Sequence, residues 1–128
     1  MLNLSGNVDI RINLPNGIWV FPADSAAGKT YLYKLFQVHY FNGKPVVGYS
    51  YHDKLLGVKL DQLVDSNKHK YLLLDRYDMY NGDYADFLIE FSKHGVVLID
   101  CKSGVDINIA TEFCRIQFSE GLIEVSEI

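Results

Sequence analysis

Three short, continuously apolar runs constrain this chain more than any other feature. They are Ile18-Trp19-Val20-Phe21, Tyr71-Leu72-Leu73-Leu74 and Val96-Val97-Leu98-Ile99, and the last two each end in an aspartate, Asp75 and Asp100. A strand with water on one side alternates apolar and polar side chains, whereas an unbroken apolar run suits a strand covered on both faces, as inside a parallel sheet. Helical periodicity lies between the runs. Leu32, Leu35, Phe36 and Tyr40 fall on one stripe, which Asn42-Gly43 and Pro45 end. Val46-Val47-Gly48-Tyr49-Ser50-Tyr51 reads as a further strand, and a weaker helical stripe of Leu60, Leu63 and Val64 stops near Ser66-Asn67. Asn81-Gly82-Asp83 supplies a cap for a third helix carrying Tyr84, Phe87, Leu88 and Phe91, with Gly95 as its stop.

The two ends of the chain differ from this middle. Val8-Asp9-Ile10-Arg11-Ile12-Asn13-Leu14 alternates at period two, and Pro15-Asn16-Gly17 supplies a turn before the run from Ile18, so a β-hairpin is predicted there. Phe113-Cys114-Arg115-Ile116-Gln117-Phe118, the turn Ser119-Glu120-Gly121 and Leu122-Ile123-Glu124-Val125 predict another. Strands and helices in alternation imply right-handed βαβ crossovers, a mostly parallel central sheet and helices on both of its faces. The expected fold class is therefore α/β, with antiparallel hairpins at both termini. At 128 residues, 48% hydrophobic and 22% charged, the chain reads as one globular domain over residues 1–128.

Charge and composition exclude several functions. A net charge of −4 argues against a broad electrostatic footprint for nucleic acid. No apolar run approaches the roughly 20 residues that span a bilayer, and residues 1–6 lack a basic start followed by a long apolar segment, so a cytoplasmic protein with no membrane partner is expected. Cys101 and Cys114 each sit in an apolar segment, which favours reduced core thiols over a bridge. His39, His52, His69 and His94 show no paired metal spacing.

The segment between the first apolar run and the first helix carries the chemistry. Ala23-Asp24-Ser25-Ala26-Ala27-Gly28-Lys29-Thr30 has the spacing of a phosphate-binding loop, with alanine in place of the first glycine. Small residues let backbone N–H groups encircle a phosphate, and the helix that follows directs its positive end at the same anion. Gly28 permits close backbone approach, Lys29 reaches the β and γ phosphates, and the Thr30 hydroxyl holds Mg²⁺. Such a metal needs an acidic partner at a neighbouring strand end, which Asp75 provides. Asp100 ends a similar run and reads as an ordinary strand-terminal carboxylate.

On these residues the chain resembles a P-loop NTPase, with residues 23–30 similar to a Walker A motif and Leu72-Leu73-Leu74-Asp75 similar to a Walker B motif. The strand pair before the loop is similar to the opening of ABC-type and related ATPases. The resemblance spans residues 8–103 and implies a three-layer αβα sandwich binding a nucleoside triphosphate, ATP before others, with Mg²⁺. The implied nucleotide-binding set is Ala23, Asp24, Ser25, Ala26, Ala27, Gly28, Lys29, Thr30 and Tyr31; the implied metal ligands are Thr30 and Asp75. Lys29 and Asp78 are the implied catalytic side chains.

Departures from the family pattern bear on hydrolysis. Many hydrolysing members carry a glutamate directly after the Walker B aspartate, and here that position is Arg76. Asp78 is then either a substitute base or a capping loop carboxylate. Lys102 and Ser103 stand either where related enzymes sense the γ-phosphate or simply at the surface. Slow hydrolysis is expected, and the competing expectation is a non-catalytic interaction or regulatory domain with a degenerate loop. Besides nucleotide, a protein partner or a homo-oligomer that supplies an arginine in trans fits the pattern.

Overall fold

The computed structural model describes residues 1–22, 28–80, 84–101 and 112–128. Strands β1 (Leu2–Leu4), β2 (Asp9–Asn13) and β3 (Gly17–Val20) precede helix α1 (Gly28–Phe41) and strand β4 (Val46–Tyr49). Two brief helices, α2 (Tyr51–Leu55) and α3 (Leu60–Leu63), lead to β5 (Tyr71–Leu74) and a 3-10 turn (Tyr77–Met79). Helix α4 (Ala85–Ser92), β6 (Val96–Ile99), β7 (Glu112–Ser119) and β8 (Leu122–Glu127) complete the chain.

All eight strands join one sheet in the order β1-β2-β8-β7-β3-β6-β5-β4. From β7 to β4 the neighbours run parallel, β8 is antiparallel to β7 and parallel to β2, and β1 closes the row antiparallel to β2. Helix α1 packs on β4 and β5, and α4 packs on β3 and β6. On the α1 face, Leu32 and Phe36 share a core cluster with Trp19, Leu73 and Leu98. Leu2, Ile10, Ile12, Ile123 and Val125 of the terminal strands belong to the same cluster, so the sheet curls towards α1 as a half-barrel. Burying side chains such as Leu32 and Phe36, both at 0% exposure, stabilises by about 1.5–3 kcal/mol each. On the opposite face Val20, Leu72, Leu74, Val97 and Ile99 meet Leu60, Leu88 and Phe91.

This architecture overturns the expected three-layer αβα sandwich with a mostly parallel central sheet. The sheet is mixed and curled, and the helices are few: α2, α3 and α4 have 5, 4 and 8 residues. The reason lies in the terminal strands. β2 alternates buried with exposed positions along its length, and β8 buries Ile123 and Val125 between less buried neighbours. Strands that bury one face need no second helical layer, and curling that face onto the α1 side is enough.

The first predicted hairpin is also corrected. β2 does not pair with β3, because β8 and β7 lie between them; β2 instead pairs with β1 and β8. Chain-distant pairing replaces the local one, and only β7 and β8 form the hairpin read at residues 113–125. One glycine has a packing reason. A Cβ on Gly95 would stand 2.6 Å from Phe91 Cε1 and 2.8 Å from the Lys70 carbonyl oxygen.

Candidate functional site

Parallel strands present their carboxyl ends along one edge, and two carboxylates emerge there together. Leu74 of β5 and Ile99 of β6 are register partners, so Asp75 and Asp100 follow side by side. The ladder continues past the strands: the Asp100 N–H donates to the Leu74 carbonyl at 3.0 Å, and the Asp75 N–H to that of Tyr49 at 2.8 Å. Side chains alternate along a strand, which sends Asp75 and Asp100 to the face of Leu73 and Leu98. The first turn of α1 brings Lys29 to that place.

Lys29 completes the group. Its ammonium lies 2.6 Å from Asp100 Oδ1 and donates to the Pro22 carbonyl at 3.3 Å. The two side chains retain only 10% and 8% of their exposure. Apart from this short ion pair, Asp100 Oδ1 has no hydrogen-bond partner among the described residues, so the Lys29 ammonium alone answers its charge. The Asp75 carboxyl has its pKa pushed up to about 6, first by burial and then by the hydrogen bond and charge of Asp100, with Arg76 and Lys29 opposing. Like charges crowded together favour the protonated form of one of them. The centre is therefore one ammonium facing two carboxyl groups that lean on each other.

The surroundings are braced. The buried Tyr80 hydroxyl donates to the Asp75 carbonyl at 2.6 Å and lies 3.0 Å from the Tyr49 carbonyl, fixing the β4 and β5 ends relative to one another. Arg76 adopts a left-handed conformation with φ of 57°, and its Nε and Nη2 reach the two oxygens of Asp78 at 3.3 and 3.2 Å. That fork holds both Asp78 oxygens. Cys101, next to Asp100, has its thiol pushed up to about 11 by burial and by the charges of Asp78 and Asp100, and burial pushes Cys114 up to about 12. Neither thiol is a ready nucleophile at neutral pH.

Of the residues singled out in the sequence, Lys29 and Asp75 come together. Gly28 is the first residue of α1, Thr30 follows Lys29 at an exposed position, and Tyr31 is 45% exposed. Asp78 joins Arg76. Ala23, Asp24, Ser25, Ala26 and Ala27 lie outside the described residues, as do Lys102, Ser103 and the Asn81-Gly82-Asp83 cap. Asp100 is the site residue that the sequence reading passed over. The signal was present, since two apolar runs of equal length each ending in Asp become neighbours once their strands pair in parallel.

Topology explains why this edge suits a ligand. From β3 the chain builds β4, β5 and β6 on one side and returns with β7 on the other. Open parallel sheets bind ligands outside the carboxyl ends of strands at such a switch point. A cavity of about 330 Å³ among His69, Lys70, Phe87, Glu90, Phe91 and His94 lies instead at the amino ends of β5 and β6. There the Lys70 ammonium is held by the Ser66 carbonyl at 2.8 Å, and no paired carboxyl groups converge with it. Among the described residues no group of three or more His, Cys, Asp or Glu could hold a metal ion. The oxygen donors at the Lys29 centre still fit a hard cation that keeps waters and phosphate oxygens as its other ligands, because Asp75 and Asp100 are adjacent carboxyl groups. No protein-family model, curated protein or solved structure matches this chain.

Proposed function

We propose that the chain binds a nucleoside triphosphate, ATP before others, together with Mg²⁺, at the carboxyl ends of β3, β5 and β6. The observation that carries this reading is the ammonium of Lys29, nearly buried at the start of α1 and set against Asp100 at 2.6 Å beside Asp75. A buried cation at a helix N-terminus and a topological switch point has the charge and place to take phosphate oxygens. Lys29 binds the β and γ phosphates, and the amides at the start of α1 face the same anion. Thr30 and Asp75 hold the metal, which when bound neutralises phosphate charge. Arg76 occupies the place after Asp75 and holds both oxygens of Asp78, so Asp78 is a poor base for water and turnover is slow. Among the described residues no helix is long and apolar enough to cross a membrane.

Calorimetric titration with MgATP tests the reading. Wild type is expected to bind, and Lys29→Ala to lose at least tenfold in affinity. Because removing one charge from a buried pair also destabilises, the double variant Lys29→Met/Asp100→Asn, which removes both, is the folded control. Equal binding by wild type and both variants, or none by wild type, rejects the proposal. The Lys29–Asp100 pair also favours a second reading, a regulatory or interaction domain in which the pair is purely structural. A structure grown with an ATP analogue and magnesium separates the two, since a Lys29–Asp100 contact unchanged under saturating ligand supports the second.

A further inference from the structure

We propose that Asp100 is an internal competitor for the phosphate, a counter-ion that holds the Lys29 ammonium until the ligand displaces it. This rests on the nucleotide-binding reading. The contact is short, 2.6 Å, and both side chains are nearly withdrawn from water, so Lys29 does not stand free for an incoming anion. Asp100 Oδ1 and the Pro22 carbonyl already face two of the ammonium's three N–H groups, so a phosphate oxygen at the ammonium competes with Asp100 Oδ1 for its charge. Apart from the ion pair, that oxygen has no hydrogen-bond partner among the described residues.

The charges around Lys29 sharpen the point. Asp75 leans on Asp100, and the guanidinium of Arg76 is engaged by Asp78. An anion approaching Lys29 therefore meets a carboxylate already seated and a second carboxyl behind it, and like charges repel strongly where water is scarce. Asparagine at 100 has nearly the same shape and keeps an oxygen for the ammonium while removing the negative charge. If Asp100 competes with phosphate, that change tightens anion binding. If Asp100 merely positions Lys29, the same change weakens it. A gain of affinity is thus a readout that a structural role does not produce.

The test is calorimetric titration with metal-free pyrophosphate and with MgATP, on wild type, Asp100→Asn, Asp100→Glu and Lys29→Met/Asp100→Asn. The competitor role predicts at least about tenfold tighter pyrophosphate binding by Asp100→Asn, about 1.4 kcal/mol. It predicts no such gain for Asp100→Glu and loss of the gain in the double variant, which shows that the effect passes through Lys29. Wild type that binds MgATP while Asp100→Asn binds pyrophosphate no more tightly overturns the competitor role and leaves nucleotide binding standing. Absence of binding in both proteins overturns both. Should Asp100→Asn not stay folded, Asp100→Ser carries the same expectation, read as a larger rise in melting temperature with pyrophosphate than wild type shows. A rise no larger than that of wild type overturns the role.

Discussion

Replacing Lys29 by alanine removes an ammonium that faces two carboxyl groups, and the consequence for stability follows from their burial. With Lys29 and Asp100 at 10% and 8% side-chain exposure, water cannot substitute for the lost charge. Deleting one partner of a buried pair costs about 3–5 kcal/mol, because the other charge remains uncompensated. Asp75, already crowded by Asp100, places the value towards the upper part of that range. At roughly 3–5 °C per kcal/mol for a domain of this size, the midpoint falls by about 10–20 °C. Removing both charges in Lys29→Met/Asp100→Asn leaves no orphan, so it costs less than Lys29→Ala alone. Urea unfolding at pH 7 of wild type, Lys29→Met, Asp100→Asn and the double variant measures the four corners of the cycle, with Lys29→Ala measured beside them. A Lys29→Ala cost below 1 kcal/mol, or a coupling below about 0.5 kcal/mol, refutes the reasoning.

The carboxyl of Asp75 and the glycine before β6 supply further expectations. The folded Asp75 pKa of about 6 lies above the ordinary carboxyl value of 3.8, so the folded state binds the proton more tightly and loses stability as pH rises through that interval. Allowing for partial solvent screening, the loss is about 1–2 kcal/mol. It is read as the difference between melting curves of wild type and Asp75→Asn from pH 4.5 to 7, and a difference that stays constant with pH contradicts it. Gly95→Ala brings a Cβ to 2.8 Å from the Lys70 carbonyl, which accepts the Val96 N–H at 2.9 Å, so relief from the clash disturbs the β5–β6 ladder. The cost is about 1–3 kcal/mol, and an unchanged melting temperature argues against it.

Local pattern carried the middle of the molecule. The continuous runs at 72–74 and 96–99 became interior strands, and the stripe of Leu32 and Phe36 became the buried face of α1, because hydrophobic period reports how many faces of an element meet water. The ends were not legible in the same way. Alternation in residues 8–14 announces a one-sided strand but says nothing of its neighbour, and the turn at Pro15-Asn16-Gly17 suggested a hairpin that the β2–β8 pairing replaces. The site divides likewise. Lys29 and Asp75 were visible as motif positions, whereas Asp100 looked like any strand-ending carboxylate until the β5–β6 register set it beside them.

By itself the sequence determined the strand cores and the two longer helices of the β3-to-β6 region, though not α2, whose Tyr51 it read as strand, and that an ammonium and two strand-ending carboxylates exist in the chain. Only the tertiary structure decided that the eight strands share one curled, mixed sheet and that Lys29 meets Asp100. The reason is physical. Period and turn chemistry act over a few residues, whereas strand order and the meeting of Lys29 with Asp100, 71 positions apart, are settled by which faces can be buried together.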